Sequence, residues 1–367
     1  MAVSILAREV SDLCLGKPPL RLLPATSTVA ESITELKRSG ESYVSVWSCE
    51  SAGGDYICVG KICMVDVICY LCKEENIVRP LAALRSPLSE ILPKVSGIVR
   101  HLEANTSLLE AIDYILDGTQ NLIVPVQNNS RKRVLRKPSS FCWLTQEDVV
   151  RFLLNCIGVF SPVQTFTIES LNMIDGDIMT VHYDSPASSI LSLISQSHIE
   201  QSSIAVIDQE NRLIGEISPL TLACCNEATA AAVMTLSAGD LMAYIDCGNP
   251  SEELIQLVKS ELQTRELAGM LELLEEFSIS SSSSSCSSDE ELGSARYSGS
   301  NRSSIARRSE AIICYPWSSL MAVMIQALTH RVNCVWVVEE DFSLVGNVTL
   351  AGMLKVFRSI AASRLKQ

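Results

Sequence analysis

The strongest constraint on the fold of this chain is an internal repeat. Apolar residues at positions i, i+4 and i+7, which share one helix face, occur four times along its 367 residues. The four sets begin at Val29, Leu108, Ala187 and Leu320, at intervals of 79, 79 and 133 residues. Two equal steps followed by a longer one predict four copies of one structural unit, with 54 extra residues before the last copy.

Each predicted helix is followed by two apolar runs that are typical of buried strands. These runs are Tyr43–Trp47 and 58–63, Leu122–Val126 and 140–145, Ser203–Ile207 and 213–218, and Cys334–Val338 and 344–349. A second amphipathic helix is predicted to begin near Asp66, Asp148, Thr221 and Gly352. One unit therefore has the order helix, strand, strand, helix. Because one unit has too few strands to cover its apolar faces, we expect neighbouring units to stack.

Short motifs at the ends of the second strands resemble the signature of the CBS domain, G-x-[IV]-[TS]-x-x-D. The four motifs are Gly60-Lys61-Ile62-Cys63-Met64-Val65-Asp66, Thr145-Gln146-Glu147-Asp148 after Cys142, Gly215-Glu216-Ile217-Ser218 before Thr221, and Gly346-Asn347-Val348-Thr349 before Gly352. The chain is similar to plant proteins made only of CBS domains, particularly the four-copy members with a serine-rich insertion. It is more distantly similar to the γ subunits of AMP-activated and SNF1-type kinases.

This resemblance implies a mixed α/β (α+β) fold in which four CBS domains pair into two Bateman modules. Repeats 1 and 2 are expected to form one module and repeats 3 and 4 the other. The predicted domains are 15–78, 94–160, 172–228 and 309–363, with a linker insertion at 229–308. Whether the modules stack within one chain or between the two chains of a homodimer is left open by the sequence.

The insertion begins with helical composition, and Asn249-Pro250-Ser251-Glu252-Glu253 predicts a new helix start. Helix-forming residues continue to Phe277, and a serine-rich tract follows that has too little apolar area to order itself. Ser287 and Ser288 precede glutamates by three residues, and Ser309 follows two arginines, so these serines are predicted phosphorylation sites. A solvated linker without modification is the alternative interpretation.

In CBS proteins, the aspartate of the motif accepts hydrogen bonds from both ribose hydroxyls of an adenosine-containing ligand. The Thr or Ser three residues earlier also contacts the ligand. Carried over by position, the resemblance makes Asp66 with Cys63 and Asp148 with Thr145 the ribose contacts, and a carboxylate suits a vicinal diol. N-capping of the helix is the alternative role for both aspartates. The weaker equivalents in the second module are Ser218, Thr221 and Thr349.

The dipeptide His330-Arg331 resembles the His-Arg pair that kinase γ subunits direct at nucleotide phosphates. Arginine makes bidentate phosphate contacts, so the residue type suits this role. The other three repeats lack the pair, and a surface ion pair is the alternative role for Arg331. The expected regulatory ligand is AMP, ADP, ATP or S-adenosylmethionine, and no cofactor is required.

The sequence contains no pattern that predicts catalysis or a metal centre. The four histidines are scattered, and HExxH, GxSxG, the P-loop and a strand-linked GxGxxG are all absent. Cys69 and Cys72 form a single CxxC in a helical run, whereas structural zinc needs four convergent ligands. We therefore expect core thiols, no metal site and no enzymatic activity.

Charge and hydropathy limit the kinds of partner. A net charge of −13 argues against broad binding to nucleic acid or to anionic lipid. The longest weakly charged stretch, Ile217–Ile245, is interrupted by Glu227 and Asp240, so no membrane span is expected. An N-terminus without secretory features and 14 cysteines favour a reducing compartment. We expect a cytoplasmic protein, and also a nuclear one if the basic run at 131–137 is a localisation signal rather than a solvated loop.

Together these features predict a non-catalytic regulatory protein that senses an adenosine-containing ligand and acts on a partner by population shift. The resemblance implies the catalytic subunit of an SNF1-type kinase as partner, or a protein of the thioredoxin system. The alternative function is a ligand-free interaction scaffold with degenerate sites. Departures from the CBS signature favour this alternative, and they are found at Cys63, Cys142, Thr221 and Gly352.

Overall fold

The computed structural model describes residues 2–49, 56–92, 98–126, 140–246, 250–282 and 310–365. Within these ranges, twelve strands form four three-stranded sheets, one for each repeat. In every sheet the first strand is parallel to the second, and the second is antiparallel to the third. The strands are β1 (Leu22–Pro24), β2 (Tyr43–Cys49), β3 (Tyr56–Cys63), β4 (Val99–His101), β5 (Asn121–Pro125), β6 (Phe141–Leu144), β7 (Thr180–His182), β8 (Ile204–Ile207), β9 (Leu213–Ile217), β10 (Ile313–Cys314), β11 (Cys334–Val338) and β12 (Leu344–Thr349).

The α-helices of the described residues fall into three groups: an N-terminal pair, the helices of the four repeats, and the helices of the insertion. They are α1 (Ala2–Leu6), α2 (Val10–Leu13), α3 (Val29–Ser39), α4 (Met64–Leu71), α5 (Glu74–Ile77), α6 (Pro80–Ala83), α7 (Leu108–Leu116), α8 (Gln146–Asn155), α9 (Leu191–Glu200), α10 (Pro219–Leu222), α11 (Thr229–Thr235), α12 (Ala238–Asp246), α13 (Glu252–Thr264), α14 (Ala268–Ser282), α15 (Leu320–His330) and α16 (Leu350–Leu365).

Each repeat contains the predicted helix, two strands and second helix, preceded by a short strand that the sequence did not reveal. The second helix begins two residues before the predicted start in repeats 1, 2 and 4. In repeat 2 this is because Thr145 is the N-cap and Asp148 is the third helical residue, so the two form a capping box. In repeat 3 the second helix, α10, also begins two residues before the predicted start at Thr221, but it is a single turn.

The sheets pair as the resemblance implied. The sheets of repeats 1 and 2 pack through a small aromatic cluster that includes Trp47, Ile123 and Trp143. The sheets of repeats 3 and 4 pack through a cluster centred on Trp336, with Ala205 from β8. Two modules, repeats 1 with 2 and repeats 3 with 4, are therefore confirmed.

The helical faces of the two modules pack against each other within this one chain. One core joins repeat 1, repeat 3 and the insertion, and α4 lies on α9 and α11 there. A second core joins repeat 2, repeat 4 and the N-terminal helices, and α16 packs on α1, α7 and α8 there. The stacking that the sequence left open is therefore intramolecular.

The described part of the insertion is helical, as predicted for the residues up to Phe277, and it belongs to the first core. Ser251 is the N-cap of α13 and accepts a hydrogen bond of 3.3 Å from the backbone N–H of Leu254, so the helix begins within the predicted start at 249–253. The predicted continuous run of helix formers is divided into α13 and α14, with Glu266 in a left-handed conformation between them. Buried Val258, Leu262 and Met270 anchor both helices.

Several sequence predictions fall outside the described residues. These are the basic run at 131–137, the serine-rich tract beyond Ser282, and the predicted phosphorylation sites Ser287, Ser288 and Ser309. In the part of the chain that the structure describes, no helix is both long enough and apolar enough to cross a bilayer.

Candidate functional site

Asp66 of repeat 1 is held at a contact between the two modules. Its side chain follows β3 directly, as the third residue of α4, and accepts a hydrogen bond of 2.8 Å from the backbone N–H of Cys63. The other carboxylate oxygen, Oδ1, lies 3.4 Å from Nε2 of His198 on α9. The N-capping role is therefore present, and it is combined with an ion pair to repeat 3.

Cys63 shares the same histidine. Its Sγ lies 3.5 Å from Nε2 of His198, and the residue is 4% exposed. The structure thus brings the predicted pair Cys63 and Asp66 together and adds His198. Sequence reasoning missed His198 because 135 residues separate it from Cys63 and no local pattern links the two.

Opposing effects set the charges of this cluster. Burial opposes ionisation of Asp66, but the charge of His198 and the Cys63 N–H outweigh it and hold the pKa of Asp66 below its ordinary value. Burial also lowers the pKa of His198, but the neighbouring Cys63 and Asp66 outweigh it and raise that pKa well above its ordinary value. The neighbouring Cys63 and Asp66 therefore favour the imidazolium form of His198.

A cavity of about 290 Å³ opens beside Asp66 and His198. Its wall includes two cationic side chains, Lys61 from β3 and Lys73 beyond α4, and its far side is formed by repeat 2, including Gln120. Burial lowers the pKa of Lys61, and the nearby Cys63 and Asp66 offset only part of this effect. The cavity therefore combines a carboxylate with positive charge at the junction of repeats 1, 2 and 3.

Asp148 of repeat 2 occupies the equivalent position and is closed off by this chain. The backbone N–H of Thr145 donates to its carboxylate at 2.8 Å, and the Thr145 hydroxyl donates at 2.6 Å. Lys17 from the N-terminal segment forms an ion pair with Asp148 and also donates to the carbonyl of Trp143 at 2.7 Å. The structure therefore brings the predicted pair Thr145 and Asp148 together, and Lys17 satisfies the charge of Asp148.

The equivalents in the second module act as local helix caps. The Ser218 hydroxyl accepts from the N–H of Leu220 at 3.2 Å, and the Thr349 hydroxyl accepts from the N–H of Gly352 at 3.0 Å. Thr221 is 4% exposed inside α10. These three residues do not line the cavity at Asp66.

His330 and Arg331 are exposed at the end of α15, where Arg331 takes a left-handed conformation as the C-cap. They are not part of the cavity at Asp66. A second cavity of about 570 Å³ lies in repeat 3, at the ends of β7 and β8, and its charged lining residues include Asp184 and Asp208. Two carboxylates make this second cavity unsuitable for a polyanion.

Four sheets paired two by two, with motif aspartates at the starts of α4 and α8, define a protein built from two Bateman modules of CBS domains. The chain belongs to the CBS domain-containing proteins. It is 47% identical to the CBS domain-containing protein CBSX5 of Arabidopsis thaliana, and the alignment covers 98% of each chain. No protein-family model matches the chain.

Two further comparisons show weaker similarity over almost the whole chain. It is 20% identical to the Arabidopsis SNF1-related protein kinase regulatory subunit gamma-like PV42b, over 97% of this chain and 96% of that protein. A crystal structure from Methanocaldococcus jannaschii, of a protein proposed as an archaeal homologue of γ-AMPK, matches with a TM-score of 0.57 and 16% identity. It covers 95% of this chain and 99% of the archaeal one, and at that identity it supports the fold alone.

Proposed function

We propose that this chain is a non-catalytic regulatory protein that binds an adenosine-containing ligand at Asp66 and conveys the bound state to a protein partner. The observation that carries the proposal is the cavity in which Asp66 lies together with Lys61 and Lys73. The carboxylate can accept hydrogen bonds from a ribose diol, and the two lysines can neutralise phosphate. A volume of about 290 Å³ is at the lower end for ligand sites, so a mononucleotide such as AMP fits this proposal better than a larger ligand.

The ion pair between Asp66 and His198 supplies a route from ligand to partner. Ribose and imidazolium compete for the same carboxylate, and His198 belongs to the other module. A bound ribose therefore weakens a contact between repeats 1 and 3, which shifts the packing of the two modules. The relationship to a γ-like subunit supports the catalytic subunit of an SNF1-type kinase as the partner, with a thioredoxin-system protein as the second choice.

A ligand-free scaffold is the second candidate, and one observation favours it. Both predicted ribose acceptors already have a cationic partner from this chain: His198 for Asp66 and Lys17 for Asp148. A carboxylate that is already paired binds a diol more weakly, because the ligand must first displace the cation.

Thermal melting in the presence of AMP, ADP, ATP or S-adenosylmethionine separates the two candidates. If the proposal holds, a ligand at 100 times its dissociation constant adds about 2.7 kcal/mol of apparent stability to the wild-type protein. Asp66→Ala and Lys73→Ala should lose this shift, whereas Asp148→Ala serves as the matched control and should keep it. If none of the four ligands changes the melting temperature, the scaffold is the correct function. A shift that survives Asp66→Ala places the ligand elsewhere.

A further inference from the structure

The cluster of Cys63, Asp66 and His198 has donor atoms of the kind that bind a transition metal. The described residues place one thiol, one carboxylate and one imidazole so that their donor atoms lie within 4.8 Å of one another. Thiolate, imidazole and carboxylate together are a ligand set for Zn²⁺, whereas Mg²⁺ and Ca²⁺ prefer oxygen alone.

The two distances from Nε2 of His198 to the other donor atoms match the edges of a tetrahedron. Zinc–ligand bonds of about 2.3 Å to sulfur and about 2.0–2.1 Å to nitrogen and oxygen place the S and N atoms about 3.5 Å apart and the N and O atoms about 3.3 Å apart. Nε2 of His198 lies 3.5 Å from Sγ of Cys63 and 3.4 Å from Oδ1 of Asp66. A charge-assisted hydrogen bond between imidazole and carboxylate is shorter, at about 2.7–2.9 Å.

We propose that Cys63, Asp66 and His198 form a zinc site that fastens repeat 1 to repeat 3. Binding displaces the imidazole and thiol protons, and the thiolate and carboxylate balance the charge of the metal. This balance offsets the repulsion between the metal and Lys61, which faces the same cavity.

The fourth position of this site is open toward the cavity. Asp66 and His198 line the cavity wall, whereas Cys63 lies behind them and is buried. Three protein ligands with an open fourth position leave room for water or for an anion from the cavity. Zinc binding is distinct from the proposed nucleotide binding, because zinc and ribose would compete for the Asp66 carboxylate.

Metal titration of the full chain, without nucleotide, tests the proposal. Purified protein freed of metal by a chelator is titrated with Co²⁺ for its absorption spectrum and with Zn²⁺ against a chromophoric chelator. We expect one equivalent, a tetrahedral cobalt spectrum with thiolate-to-metal charge transfer, and a higher melting temperature with zinc. Cys63→Ser and His198→Gln should each weaken binding by at least about 10–100-fold, the loss that removal of an outer-shell partner already causes.

Cys69→Ser is the matched control, because Cys69 lines the same cavity but is not part of the cluster. It should bind metal as the wild type does. The proposal is overturned if the wild type shows no stoichiometric binding, or if Cys63→Ser and His198→Gln, shown to be folded by circular dichroism, bind as tightly as the wild type. Lys73→Ala should lose nucleotide binding but keep zinc binding. The metal titration uses no nucleotide, so its outcome does not depend on whether a nucleotide binds.

Discussion

At the residue scale, Gly346 shows why the CBS signature requires glycine in repeat 4. The backbones of Asp175 and Asn347 exchange two hydrogen bonds of 2.9 Å, so the segment before repeat 3 passes directly over β12. A Cβ atom at Gly346 would lie 2.3 Å from the carbonyl oxygen of Asp175. Because this neighbour is backbone, it can move only if the bridge between the two segments is disturbed.

Gly346→Ala is therefore expected to lower the free energy of unfolding by about 1–3 kcal/mol, the usual effect of overpacking a closed site. Urea denaturation followed by circular dichroism measures the change. Gly158→Ala is the control, because a Cβ atom there meets no other heavy atom within 4 Å. Equal urea midpoints for the two variants would show that the backbone at Asp175 moves aside without a loss of stability.

The residues of the candidate site could be predicted only in part. The local motif was sufficient to single out Asp66 with Cys63 and Asp148 with Thr145, because each pair spans one helix start. The cations that face them come from distant segments, His198 from α9 and Lys17 from the N-terminus. Such contacts depend on how modules and segments pack, and sequence spacing carries no information about that.

At the element scale, β9 and β11 are joined across the second module by a buried polar contact. The indole N–H of Trp336 donates to the Glu216 carboxylate at 2.7 Å, and both residues are buried. Burial raises the pKa of Glu216 to about 7, and the hydrogen bonds from Trp336 and Ser203 offset only part of this effect. The folded protein therefore holds this proton more tightly than the unfolded chain does.

This contact predicts a pH dependence of stability with a definite sign. Because the pKa of Glu216 is raised on folding, its contribution is complete below pH 4.5, the ordinary value, and is lost as the pH rises through about 7. The loss amounts to about 3 kcal/mol by pH 8, from 1.36 kcal/mol for each unit of pKa difference. Glu216→Gln keeps an acceptor for Trp336 and should remove this decline in urea unfolding measured at pH 5 and pH 8. An unchanged decline in the variant would assign the pH dependence to other groups.

The predictability of the elements follows their length and pattern. The predicted bounds of β11 and β12 match the structure because both are apolar runs. The first strands of the repeats escaped prediction because they have only two or three residues, as β10 does at Ile313–Cys314. The sequence did not indicate how short α10 is, since it begins at Pro219 and ends after Leu222.

At the scale of the whole molecule, the stacking of the modules determines which repeats a ligand at Asp66 would contact. The cavity at Asp66 has walls from repeats 1, 2 and 3, so a ligand bound there would contact both modules. If the proposed function holds, a ligand that raises the melting temperature should also change the amount of purified SNF1-type kinase catalytic subunit retained by the immobilised protein. Lys73→Ala should bind the kinase without responding to the ligand. Retention that is the same with and without ligand would contradict coupling between ligand and partner.

The stacking itself was beyond the reach of the sequence. Repeat spacing and the CBS resemblance were sufficient to predict four units and their sheet-to-sheet pairing. The helical faces that join repeat 1 to repeat 3 and repeat 2 to repeat 4 carry ordinary apolar residues, such as Ile68 and Ile194 in one core and Leu153 and Phe357 in the other. Apolar residues of this kind could pack against the helices of any repeat. Only the three-dimensional shape of each helical face determines which repeat it packs against.

The composition of the two cores also sets an order in which the chain can mature during synthesis. The core of repeats 1 and 3 and the insertion draws its buried residues from Val29 to Leu274, so all its parts have been translated before the last repeat begins. The core of repeats 2 and 4 needs Leu6 from the first helix and Ala361 from the last. Repeat 2 and the N-terminal helices can therefore complete their core only after α16 has been synthesised, and until then part of their apolar surface has no partner from repeat 4.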